Sequence, residues 1–137
     1  VTLRSSNTPI NTNTDIYIAD TFGELGLLYR LVQIVYIGKS LVSVGGQNPL
    51  EAARLDCAIL FGPRMDNFLE ITKKLIKNNA CIEIYDESEL LKTIKRLLEA
   101  PEECNKLAKS AKQVTEEQSS VLDAVLHELQ PFLTRGL

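Results

Sequence analysis

The 137 residues of this chain make one domain's length, and with 45% apolar and 24% charged residues they have the balance of an ordinary globular protein. A net charge of −3, from 15 basic and 18 acidic residues with no block of either sign, excludes a nucleic-acid footprint built on clustered Lys and Arg. Three scattered cysteines (Cys57, Cys81, Cys104) and one histidine leave neither a disulfide framework nor the roughly four closely spaced ligands of a zinc site, so no metal or cofactor is expected. Residues 1–15 are polar and lack the pattern of a signal peptide, and 5–14, with Pro9, read as linker-like. The most apolar stretch, 25–44, is interrupted by Arg30, Gln33 and Lys39, which argues against a membrane span.

Strand-like and helix-like runs then alternate. Residues 15–19 are a short β-type run, and 21–31 carry Leu25, Leu28 and Leu31 at helical spacing. Residues 34–37 are continuously apolar, as a strand covered on both faces requires. A loop over 38–48, a short helix over 49–55, a buried strand over 58–61, a helix over 67–77 and a strand over 81–85 follow. The order implies an α/β fold: a Rossmann-like parallel sheet with helices on both faces. Beyond Asp86 the pattern is helical throughout. Three apolar stripes, at 90–98, 107–114 and 121–129, predict three helices, the first ended by Pro101 and the last by Pro131. The chain reads as one domain over 1–137, with an α/β core over 1–100 and a helical tail over 101–137.

The chemistry-bearing feature is a loop-to-helix junction, Gly38-Lys39-Ser40 followed by Gly45-Gly46-Gln47-Asn48-Pro49-Leu50-Glu51. In open α/β sheets ligands bind beyond the carboxyl ends of the strands, where loops lead into helix starts. Glycines there allow close backbone approach, Asn48 suits an N-cap, and Pro49 suits the first helical position. The same residues also describe nothing more than a tight turn before a capped helix. Asn48-x-x-Glu51 has the capping-box spacing, as do Thr21-x-x-Glu24 and Asn67-x-x-Glu70, so spacing alone favours Glu51 as a cap over Glu51 as a ligand for sugar hydroxyls. Gly38-Lys39-Ser40 imitates the end of a P-loop, but the opening glycine would fall at Gln33, which excludes that reading. His127 falls between apolar helix positions and reads as a surface residue. Arg64, after the strand at 58–61, reads equally as an anion contact or as a solvated side chain.

Three segments taken in order are specific: Asp20-Thr21-Phe22-Gly23-Glu24-Leu25, Gly45-Gly46-Gln47-Asn48-Pro49-Leu50-Glu51-Ala52 and Phe61-Gly62-Pro63-Arg64-Met65-Asp66-Asn67-Phe68. Together they resemble the C-terminal domain of the bacterial 3-deoxy-D-manno-octulosonic acid (Kdo) transferases, over residues 4–133. The resemblance implies part of a GT-B glycosyltransferase, a fold of two Rossmann-like domains across a cleft. It also implies transfer of Kdo from CMP-Kdo to the lipid A precursor, at the cytoplasmic face of the bacterial inner membrane. By the resemblance, Phe22, Gly23 and Glu24, with Asn48, Pro49, Leu50 and Glu51, lie against the donor nucleotide, Glu51 meeting the ribose. Ser40, Gly45, Gly46 and Gln47 shape the pocket.

The chain departs from the family where Lys39 replaces a glycine, Gln47 a histidine and Arg64 a histidine. Gln cannot become a cation as imidazole can, and Lys39 and Arg64 are candidate anion contacts that restore the charge. No catalytic residue is expected in these 137 residues, because the family's base lies in its N-terminal domain. The expectation is a donor-binding part without transfer activity of its own. The alternatives are a non-catalytic scaffold remnant or another GT-B nucleotide-sugar enzyme. Self-association through an open sheet edge or the last helix is a further expectation.

Overall fold

The computed structural model describes residues 1–43 and 45–133, apart from the side chains of 121–123 and 131–133. The elements are β1 (Thr2–Leu3), β2 (Tyr17–Ile18), α1 (Leu25–Leu31), β3 (Ile34–Tyr36), α2 (Leu50–Arg54), β4 (Ala58–Phe61), α3 (Leu69–Lys77), β5 (Ile82–Glu83), α4 (Glu87–Glu99) and α5 (Pro101–Leu133). Single 3-10 turns at Arg4–Ser6 and Asp66–Phe68 follow β1 and precede α3. All pairing is parallel: β3-β4-β5 form one sheet and β1-β2 a separate pair. The α/β class is as the alternating runs predict. The strand at β2 joins β1, in the stretch read as polar, and not the main sheet.

β4 explains why helices cover both faces. Its four residues are all buried, and period-two alternation sends them to opposite sides. Ile59 and Phe61 pack with Ala52 and Ala53 of α2, and with Ile71 and Leu75 of α3. Ala58 and Leu60 pack with Ile84 and with Leu97 of α4. α4 starts at a true side-chain cap: Asp86 accepts the Glu89 N–H at 2.8 Å, and Glu89 accepts the Tyr85 N–H at 2.9 Å. The capping-box spacing predicts that reciprocal arrangement elsewhere, at residues 21, 48 and 67. At those three positions no side-chain cap bond forms to the helix that follows, apart from a single bond at Asn48.

The expected three-helix tail is two helices, because α5 is continuous from Pro101 to Leu133. Proline is tolerated in the first turn, so Pro101 starts this helix while ending the previous one. Residues 115–120 carry polar side chains but no breaker, and the backbone stays helical across the gap between the apolar stripes. Small residues let α5 come close: Cys104, Ala108, Ala111 and Thr115 are buried along one side. Cys104 and Leu107 reach one core cluster, Ala111 and Val114 the other. Lys112 pairs with Asp56 at 2.8 Å, just ahead of β4, and the Cys104 thiol faces the Gln33 carbonyl, just ahead of β3. α5 therefore crosses beneath the amino ends of the strands, and the first half of the supposed tail belongs to the core. Val121 and Leu122 of the last stripe lie outside the described side chains.

Candidate functional site

The loops at the carboxyl ends of β3 and β4 are tied together by Ser40. Its side chain is fully buried. Oγ donates to the Ile37 carbonyl at 2.6 Å and accepts the Gly62 N–H at 2.7 Å, while the Ser40 carbonyl accepts the Arg64 N–H at 2.9 Å. Gly62 has to be glycine, since a Cβ there would overlap the backbone of Ser40 and Leu41. The glycine pair continues the clasp. Gly45 and Gly46 have φ of +116° and +60°, and a Cβ on Gly46 would stand 3.2 Å from the Arg64 carbonyl and overlap the Met65 sulfur. A Cβ on Gly45 would stand 3.0 Å from Nδ2 of Asn67.

At α2, Pro49 is the residue before the helix and is fully buried, and Asn48 Oδ1 accepts the Leu50 N–H at 3.0 Å. One of the N–H groups expected to face an anion is thus already taken. The Glu51 side chain, favoured as a cap on spacing, forms no cap hydrogen bond to α2, and the residue is exposed. Its Oε1 lies 3.1 Å from the position a Cβ on Gly26 would occupy, so the first turns of α2 and α1 are neighbours. Burial, and after it the nearby Glu51 carboxylate, push the Tyr29 phenol up. Glu51 thus lies beside Gly26, two residues past the Phe22-Gly23-Glu24 segment.

Glu24 sits at the start of α1 and is not free. Arg4 Nε donates to its Oε1 and Oε2 at 3.1 and 2.9 Å, Arg4 Nη2 to Oε1 at 2.9 Å, and Thr21 Oγ1 to Oε2 at 2.6 Å. The hydrogen bonds from Arg4 and then from Thr21 hold the Glu24 carboxyl below its ordinary value. Phe22 projects fully into solvent, and Gly23 turns the chain with φ +88°. Gln47, Lys39 and Arg64 are exposed, and Lys39 sits in the left-handed region at φ +67°. Ser40 and Pro49 frame the loops from within, while Phe22, Gln47, Asn48, Glu51, Lys39 and Arg64 face outward.

Three supporting roles were missed in the sequence: Met65 and Asn67 under the glycine pair, and Arg4 behind Glu24. Arg4 carried no local signal, because its partner is twenty residues away. His127 is exposed. A cleft of about 750 Å³ lined by Arg54, Lys77, Asn78, Val114 and Glu117 lies at the far ends of α2 and α3, away from these loops.

The chain is 40% identical over 134 residues to the 3-deoxy-D-manno-octulosonic acid transferase of Rickettsia typhi, covering 96% of this chain and 29% of that protein. The Haemophilus influenzae transferase is 32% identical over 98% of this chain and 32% of its own length. A solved structure described as the C-terminal CMP-Kdo binding domain of WaaA from Acinetobacter baumannii superposes with a TM-score of 0.78 at 34% identity, over 83% of this chain and 60% of that one. The chain matches the C-terminal part of the Kdo transferases. It spans about three-tenths of the length of the curated relatives it matches, and its fold corresponds to their C-terminal domain. No protein-family model matches it. Lys39 falls where the backbone takes a positive φ, and Arg64 is the residue whose N–H is held by the Ser40 carbonyl.

Proposed function

We propose that this chain holds the CMP-Kdo donor of a glycosyltransferase of GT-B architecture that adds Kdo to the lipid A precursor at the cytoplasmic face of the bacterial inner membrane. The observation that carries this reading is the meeting of the second and third motif segments beyond the carboxyl ends of β3 and β4, Gly45 and Gly46 against Asn67 and Met65, with Glu51 reaching Gly26 at the start of α1. The outward residues supply what a cytidylate needs: an aromatic face at Phe22, an amide and a carboxylate at Asn48 and Glu51, and cations at Lys39 and Arg64. Glu51, exposed and without a capping bond, is available to ribose hydroxyls. Activating an acceptor hydroxyl needs a positioned base, and in this reading a second domain across a cleft supplies it. Among the described residues no helix is long and apolar enough to cross a membrane. The acceptor and the membrane would be met elsewhere in the full enzyme.

Calorimetric titration of the chain with CMP and with UMP tests the reading. It requires CMP to bind, and to bind more tightly than UMP. Lys39→Ala and Arg64→Ala should each weaken CMP-Kdo, and unchanged affinity in both rejects their role as anion contacts. One observation favours a second reading, a scaffold remnant that keeps the fold without the ligand: Lys39 occupies a left-handed backbone position suited to glycine, as a site released from selection would permit. Absence of CMP binding by a folded chain would support that remnant.

A further inference from the structure

Residues 19–24 contribute nothing to the core, since none of them is buried. Their conformation is fixed instead by polar bonds from a single turn, Arg4–Ser6, which follows β1 just as 19–24 follow β2. At one end Asp20 accepts both the backbone N–H of Ser5, at 2.9 Å, and the Ser5 hydroxyl. At the other end Glu24 accepts the forked guanidinium of Arg4. Between these two anchors lie the exposed ring of Phe22 and the positive-φ turn at Gly23.

We propose that Arg4 and Ser5 are positioning residues for nucleotide binding, holding the Phe22-Gly23 loop ready from both ends without touching the ligand. The inference rests on the donor-nucleotide reading. It also assigns Glu24 a role different from a ligand contact. Three donor hydrogens, the Arg4 Nε–H shared between both oxygens, an Arg4 Nη2–H and the Thr21 O–H, engage both oxygens of this carboxylate. Glu24 therefore acts through Arg4 and the loop. Lysine would not substitute fully, because a point charge lacks the planar fork that engages both oxygens. Releasing the anchors makes binding bear the cost of ordering the loop, which corresponds to about a three- to tenfold loss of affinity.

The test is calorimetry with CMP on the 137-residue chain carrying Arg4→Gln, Ser5→Ala, Glu24→Gln, the Arg4→Gln/Glu24→Gln pair and Arg4→Lys. A Lys112→Ala control breaks an exposed ion pair at the other end of the sheet. The expected result is weaker CMP binding in each single variant, a double variant no worse than its poorer parent, partial recovery with Arg4→Lys, and wild-type affinity in the control. Amide exchange should quicken over 20–24 in Arg4→Gln and stay slow in β4. Wild-type affinity in Arg4→Gln, or additive losses in the double variant, overturns the proposal and leaves the donor reading intact. Failure of the wild-type chain to bind CMP overturns the donor reading and takes this proposal with it.

Discussion

Replacing Ser40 by alanine should reveal how much the clasp between the two loops contributes to folding. The hydroxyl is fully buried, accepts the Gly62 N–H at 2.7 Å and donates to the Ile37 carbonyl at 2.6 Å. Alanine removes the acceptor and leaves a buried N–H in a glycine too crowded to relax toward water. An orphaned buried donor costs about 1–3 kcal/mol, and the small void adds little, so a loss of about 2 kcal/mol is expected. For a chain of this size that is a fall in Tm of ~8 °C. Thermal unfolding followed by circular dichroism, with urea titration to confirm it, measures the change. Ser43→Ala is the control, since that hydroxyl meets the Lys39 carbonyl only at 3.5 Å and near the surface. A loss below about 0.5 kcal/mol in Ser40→Ala would mean the two loops are held by something other than this hydroxyl. Gly62→Ala attacks the same clasp from the opposite side and should cost more, because its Cβ meets backbone atoms that no rotamer change can move aside.

Lys39→Gly should stabilise the chain by about 0.5 kcal/mol in urea unfolding, the relief of a left-handed side chain at φ +67° outweighing the extra entropy of glycine in the unfolded state. Lys39→Ala, which keeps the strain, should not, and a loss of stability in the glycine variant refutes this account. Burial pushes the Cys81 thiol up to about 12 and the Cys57 thiol to about 11, from an ordinary value of 9.0. Above pH 9 the unfolded chain releases these protons and the native chain keeps them, so stability falls as pH rises from 9 towards 12. Native Cys81 should resist iodoacetamide at pH 8, and rapid alkylation there contradicts the burial argument. β3 pairs with β4 alone among the described strands, and Ile34, Val35 and Tyr36 are only half-buried, so sedimentation velocity should show concentration-dependent association. A strictly monomeric boundary at high concentration counts against an adhesive edge.

The elements legible in the sequence are those whose signal is local and strong. Residues 58–61 are apolar without interruption and form β4 with the predicted bounds. The run at 15–19 has the right composition, but only Tyr17–Ile18 find a partner, and that partner, Thr2–Leu3, lies in a stretch with no strand pattern of its own. α5 was hidden for the opposite reason. Its polar middle carries no apolar period, and continuity there comes from the helix itself and from the packing of Cys104 through Thr115, not from a stripe running its whole length. The motif segments were legible as segments. Their placement was not, because it depends on close approaches such as Gly46 to Met65 and on bonds such as Arg4 to Glu24, each spanning about twenty positions with no periodic mark.

Apolar packing of α5 and the polar frame of the loops sit at opposite ends of the sheet. α5 passes beneath the amino ends on small buried side chains, whereas the loops at the carboxyl ends are held mainly by polar bonds. By that division, substitution at Lys39, Gln47 or Arg64 should leave the fold intact, since all three side chains are exposed and none carries a hydrogen bond of the frame. The Ser40 carbonyl holds the Arg64 N–H at 2.9 Å, and Lys39 is the residue next to Ser40, so the clasp joins the backbones of the two loops that carry these cations.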